Sequence, residues 1–209
     1  MPLVVVIDVG ILNLGMVVAT VTEEWEVKEV QSAHRIDITI CKHSSVARKD
    51  CKLYHTRDAV DRVAHFIQDY CEVLGDADHL LIERQPPGGL VHIEQLLYAA
   101  FRDKGVLVSP NRMHHHFRLS SDYDQRKKET VLIAEPYLKH LAAWTELADR
   151  RHDISDAACL MLSWLHQKRK VYLAEEMRKE AMEKTLIIDT EPVSVSNYLE
   201  SFRYRPPVK

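Results

Sequence analysis

Several things are missing from this chain. It has no apolar run long enough to span a membrane. No basic stretch precedes an apolar segment at the start, so no signal peptide is expected. Its four cysteines, Cys41, Cys51, Cys71 and Cys159, form no CxxC pair. That argues against a disulfide framework and a cysteine zinc site, and for a reduced intracellular compartment. Glycine is scarce, with six residues. There is no internal repeat and no low-complexity segment. Net charge is −3, which excludes a generic basic protein. What remains is 209 residues, 46% of them hydrophobic, enough for one globular domain with a well-filled core and an appendage.

Charge is informative only locally. Residues 35–57 carry Arg35, Lys42, Arg48, Lys49, Lys52 and Arg57. Residues 112–128 carry Arg112, Arg118, Arg126, Lys127 and Lys128 beside the run His114 to His116. Basic faces around an acidic cleft would give this pattern, and so would a mixed surface.

The chain opens on Val4-Val5-Val6-Ile7-Asp8, a buried strand that ends on a carboxylate. Gly10, Asn13 and Gly15 mark a turn into a second strand, Met16 to Val21. A third strand is expected between Trp25 and Ile40, then a polar, basic loop over 41–55. The spacing of Val60, Val63, Ile67, Tyr70 and Leu74 predicts a helix over 57–74, closed by Gly75. His79 to Glu83 reads as a strand that also ends on a carboxylate. After Pro86-Pro87-Gly88-Gly89 comes a helix at about 90–104, then the strand Val106 to Val108. Residues 111–124 read as a loop. Residues 125–141 read as a helix that Pro136 should kink, and Asp153 to Gln167 as a strong helix. A solvated helix over 168–184 and a loose tail from Glu191 follow.

Three strands in sequence predict an antiparallel meander. Strands alternating with helices then require parallel crossovers. The expected fold is α/β, a mixed five-stranded sheet flanked by helices. The expected division is a domain over 1–168 and a helical extension with a tail over 169–209.

If the first and fourth strands are parallel neighbours, Asp8 and Glu83 emerge at the same edge of the sheet. Open α/β sheets bind their ligands at that edge. Asp153 and Asp156, three apart, share a face in the first turn of their helix. Asp153 read by itself is also a plausible helix cap. Ala157 and Ala158 would let that turn approach the sheet closely. Four carboxylates at one point need a cation, and all-oxygen ligands select Mg²⁺ or Mn²⁺. Two such ions suit phosphodiester hydrolysis.

The Asp8 strand and turn, Ile82-Glu83-Arg84-Gln85, Ile93-Glu94-Gln95, Val108-Ser109-Pro110, Arg126-Lys127-Lys128 and His152-Asp153-xx-Asp156-Ala157 occur in this order. Together they resemble the Holliday junction resolvases of the RuvC type, in their poxvirus and large-DNA-virus branch, over about residues 3–167. The resemblance implies an RNase H-like fold, a homodimer, Mg²⁺ dependence and paired symmetrical nicks in four-way DNA junctions. By position it makes Asp8, Glu83, Asp153 and Asp156 the metal-binding catalytic carboxylates. It places Lys128, with Lys127 beside it, toward the scissile phosphate. Arg84, Arg112, His114, Arg126, Lys127 and Lys128 are the candidate DNA contacts. The helix at 90–104 matches the one that pairs subunits, with Ile93, Leu96, Leu97, Tyr98 and Phe101 as candidates. A viral source would put the protein in the host cytoplasm or nucleus.

Two other functions compete. A non-catalytic junction- or RNA-binding module could have the same fold. The Asp-x-Gly-x-x-Asn-x-Gly opening also resembles the first phosphate loop of the actin and sugar-kinase ATPases. Those need a second glycine-rich loop, for which this chain has no obvious place.

Overall fold

A computed structural model describes residues 1–40, 53 and 56–190, without the side chains of 185–190. The loop expected at 41–55 and the tail from Glu191 therefore lie almost wholly outside the described residues. Five strands form one sheet: β1 (Leu3–Asp8), β2 (Leu14–Val21), β3 (Val27–Ile36), β4 (His79–Glu83) and β5 (Gly105–Val108). Their order is β3-β2-β1-β4-β5. β1–β2 and β2–β3 are antiparallel, and β1–β4 and β4–β5 are parallel. This is the expected mixed sheet.

The apolar run of β1 follows from burial on both faces. Val4 and Val6 point into one core, Val5 and Ile7 into the other. A strand covered on both sides has no reason to alternate. Helices α1 (Ala59–Asp69), α2 (Cys71–Asp76) and α3 (Val91–Ala100) cover the Val5 face, through Val63, Phe66, Leu74, Ile93 and Leu97. Helices α5 (Tyr123–Leu138), α6 (Ala142–Glu146) and α7 (Arg151–Thr190) follow α4 (Pro110–Phe117) and cover the Val6 face.

Several helices differ from their sequence-based expectation. The stretch 57–74 is two helices, broken at Tyr70, whose backbone (φ −119°, ψ 21°) leaves the helical region. Gly75 lies inside α2 and does not close the first helix. Residues 110–117 are helical where a loop was expected. Pro110 at the first helical turn lacks only an N–H that would be unpaired there anyway. Arg118 closes α4 in the left-handed conformation, φ 54°. Pro136 is carried inside α5, which ends two residues later. The helices expected at 153–167 and 168–184 are one, α7, and it starts at Arg151. Asp153 therefore sits in the first turn and is not the cap.

The chain divides into two units, Met1–Arg169 and Lys170–Lys209. Within the first, the stretch of α7 up to Arg169 is held at two places. At the sheet edge remote from Asp8, the ring of Trp164 lies 5.3 Å from Trp25 and 5.3 Å from His79. Lys168 lies 5.3 Å from each tryptophan ring. At the other edge, Gly15 of β2 meets the Asp153 main chain. A methyl group on Gly15 would collide with the Asp153 carbonyl oxygen. Gly15 is thus the small residue that admits α7 to the sheet edge.

Gly15→Ala is expected to destabilise the protein by about 1–3 kcal/mol, because the neighbouring atom is rigid main chain. Denaturant unfolding measures this, and an unchanged midpoint would contradict it.

Candidate active site

Strand geometry decides which carboxylates meet. Side chains two apart share a face, so Asp8 points with Val4 and Val6 toward α5 and α7. Glu83, two after Leu81 of the same core, does likewise. The β1–β4 register pairs Ile7 with Ile82, which sets Asp8 and Glu83 side by side at the carboxyl edge. On the other antiparallel neighbour, Asp8 pairs with Gly15. Asp156, on the face of α7 continued by Leu160 and Trp164, enters from above. Asp8, Glu83, Asp153 and Asp156 all line one cleft of about 680 Å³, with Asn13, Gln85, His114, Tyr123, Arg126 and Lys127 among its other residues.

Each carboxylate has a different partner. Burial and the adjacent Glu83 raise the pKa of Asp8 well above the carboxylate range, and Asp156 adds to this. Burial also raises Glu83, against the hydrogen bonds it receives. Both carboxyls of this adjacent pair are thus pushed toward their neutral forms, and they titrate as a pair. Glu83 Oε2 further accepts from the Val9 N–H at 3.2 Å and from Gln85 Nε2 at 2.6 Å. Gln85 is itself fixed. Its N–H donates to the buried Glu94 carboxylate at 2.5 Å, and its side-chain oxygen accepts from the Leu90 N–H at 3.1 Å.

Asp156 is paired with Lys127 of α5. Burial works to lower the Lys127 pKa, but the charge of Asp156 and its hydrogen bond outweigh burial and raise it. Lys127 lies on the buried stripe of α5 with Thr130, Ala134 and Leu138, at helical spacing. Lys128 is one residue, about 100°, further round the helix, exposed and outside the cleft. The structure gives the cleft position to Lys127, where the sequence reading preferred Lys128. The 127-130-134-138 spacing was the available signal.

Asp153 is buried. His152 Nε2 lies 3.3 Å from its Oδ1, and Arg35 Nε and Arg150 Nε lie 3.5 and 3.7 Å from its Oδ2. Oδ2 accepts no hydrogen bond among the described residues. Both arginines donate instead to Asn13 Oδ1, at 2.8 and 3.1 Å. Arg35 and Arg150 were not among the sequence candidates, since nothing in their local patterns separates them from surface arginines.

The remaining candidates divide. Arg84, His114 and Arg126 line the cleft. Burial, then Arg126, lowers the pKa of His114, which favours its neutral form. Arg112 donates to Gln167 at 2.7 Å and is not a lining residue. In α3, Ile93 and Leu97 are fully buried in the core and cannot reach a partner subunit. Leu96, Tyr98 and Phe101 are partly exposed.

The donor set fits a hard divalent cation. The four carboxylates supply only oxygen donors, one buried oxygen lacks a hydrogen bond among the described residues, and burial beside Glu83 penalises the charge on Asp8 in a way that a bound cation would relieve. Among the described residues, no three His, Cys, Asp or Glu side chains are already gathered into a ligand cage. Lys127 holds Asp156, and Arg35 and Arg150 face Asp153. The turn glycines are explained by close packing. A methyl on Gly10 would collide with the Asn13 main chain, and Gly15 is taken by Asp153.

The chain superposes on the fowlpox virus resolvase solved with Holliday junction DNA, with a TM-score of 0.53 and 14% identity over 79% of this chain and 97% of that one. It superposes on the yeast mitochondrial Holliday junction resolvase with a TM-score of 0.56 and 18% identity, over 85% and 83%. At these identities the likeness establishes the fold. No curated protein matches in sequence. The profile of the family described as poxvirus A22 protein matches residues 2–168. That span holds all five strands of the sheet and all four cleft carboxylates, and the chain belongs to the poxvirus A22 protein family.

Proposed function

We propose that the protein is a structure-selective DNA endonuclease that resolves four-way junctions by metal-dependent phosphodiester hydrolysis. One observation carries the reading. Asp8 and Glu83 from parallel strands and Asp153 and Asp156 from α7 line a single cleft with Lys127. The relatives of the same fold whose names describe resolution of Holliday junctions support it.

Asp8, Glu83, Asp153 and Asp156 would hold Mg²⁺, or Mn²⁺ in its place, with room in the donor set for two ions. Bound there, the metal supplies the positive charge that activates water and stabilises the leaving oxygen. The chain's own residues do the rest. Gln85, pinned by Glu94, aims Glu83 at the cleft. Lys127 stands ready to meet negative charge on the phosphate, which competes with Asp156 for its ammonium. Arg84 and Arg126 flank the cleft as backbone contacts. Such contacts position DNA without reading sequence, so selectivity comes from junction shape.

Two copies would set two clefts at a fixed separation, as paired nicks require. The partly exposed Leu96 and Tyr98 of α3, with Phe101 just after it, are the proposed subunit contact. No described helix is long and apolar enough to cross a membrane, and the proposed place of action is wherever viral DNA is processed.

Asp8→Asn, Glu83→Gln and Asp156→Asn should each abolish Mg²⁺-dependent nicking of a synthetic four-way junction while leaving its binding intact. A linear duplex of the same sequence serves as the control. Nicking at the wild-type rate by any of the three would remove that residue from the site.

Lys127→Ala should slow single-turnover cleavage by roughly 10²-fold. Lys128→Ala should instead weaken junction binding and flatten its salt dependence. The reverse result would restore Lys128 to the catalytic position.

Leu96→Glu combined with Phe101→Glu should give a monomer by light scattering. A retained dimer would place the contact elsewhere.

A further inference from the structure

We propose that Asn13 is a positioning residue that keeps two arginines from closing on Asp153, so that one oxygen of this carboxylate stays open to a cation. The proposal rests on the reading of the four-carboxylate cleft as a metal site.

The distances carry it. Asp153 Oδ2 is a buried carboxylate oxygen faced by two guanidinium groups, yet it accepts no hydrogen bond among the described residues. A charge-assisted hydrogen bond to arginine normally closes to roughly 2.7–2.9 Å. Here Arg35 Nε stops at 3.5 Å and Arg150 Nε at 3.7 Å. Both side chains spend a donor on a neutral acceptor instead, Asn13 Oδ1, at 2.8 and 3.1 Å. A neutral amide draws the arginines aside and adds no charge that would bind a cation by itself.

The backbone holds this arrangement in register. Asn13 sits in the β1–β2 turn, directly before Leu14, whose pairing with Ile36 places Arg35 alongside. Two residues after Asn13, Gly15 abuts the Asp153 carbonyl. The same short turn therefore locates both the acceptor and the carboxylate it protects. His152 lies 3.3 Å from the other oxygen, Oδ1, which leaves Oδ2 as the one available to a ligand. Asn13 itself lines the cleft.

Without the amide, the nearest outlet for Arg35 is Asp153 Oδ2. The carboxylate would then be paired, and an incoming cation would have to displace an arginine. This is a competition for one oxygen and can be read without DNA or catalysis.

The test is calorimetric titration of the metal-free protein with Mn²⁺. Asn13→Ala should weaken the binding about tenfold, the scale of one hydrogen bond to a charged group. In an Asp153→Asn background, Asn13→Ala should change nothing further, because the contested oxygen has lost its charge. Arg35→Lys keeps the charge but loses the Nε–H that engages Asn13, so it should weaken binding as Asn13→Ala does. It also decides the matter if Asn13→Ala does not fold, which a melting curve in chelator would show. Two results overturn the proposal alone: wild-type affinity in Asn13→Ala or, if that variant does not fold, in Arg35→Lys; and an Asn13→Ala loss of equal size in the Asp153→Asn background. If wild-type protein binds no Mn²⁺, or Asp8→Asn binds it unchanged, the metal-site reading itself fails and this proposal falls with it.

Discussion

The constraint on which the rest depends is the crowding of negative charge at the carboxyl edge of the sheet. Two carboxylates come from adjacent strands and two from one helical turn. Bringing them together out of water is costly without compensation. The fold compensates each one differently. Asp8 and Glu83 are pushed toward their neutral forms, Asp156 takes Lys127, and Asp153 is faced by Arg35 and Arg150. All of these compensations can be replaced by a cation. In the proposed metal site, such a balance would let the chain fold before a cation binds.

Rigidity comes from elements that have little chemistry of their own. Val4 to Ile7 are fully buried, so Asp8 has no freedom along the strand. Glu94 is a buried acid whose partner is a main-chain N–H, and through Gln85 it sets the direction of Glu83. Trp164, packed on Trp25 and His79, holds α7 about two turns from Asp156. A cleft built this way gains its geometry from packing, and the charged groups need not enforce it themselves.

Much of this could be read from the sequence, and what could not has physical reasons. The sheet was legible because both of its faces are covered, so its strands are plain apolar runs bounded by turns. The meeting of Asp8 with Glu83 followed from strand direction alone. The helical segments were less legible. Residues 111–124 read as a loop, although the proline just before them serves as the start of α4. The join within α7 was hidden because a charged helix and a buried helix have different patterns even where the backbone is continuous. The choice between Lys127 and Lys128 depends on a rotation of about 100°. It needed the stripe of Thr130, Ala134 and Leu138 as a reference. Arg35 and Arg150 could not be identified at all, because their relation to Asp153 is long-range and leaves no mark on neighbouring residues.

Asn13 and Gly15 show the same limit from the other side. A turn between two strands accounts for both residue types, so local reasoning has nothing left to explain. Their second role exists only because β2 and the first turn of α7 touch, and contact between distant segments is what a sequence read locally does not contain. The turn requires only a chain reversal. The identity of its side chains is then open to selection by whatever packs against it, and here that is a charged site. Asn at position 13 satisfies the turn and two arginines at once. Gly at position 15 satisfies the strand and the Asp153 main chain at once. Residues that meet a local and a distant requirement together are the ones whose substitution should disturb the site without disturbing the pattern that predicted the fold.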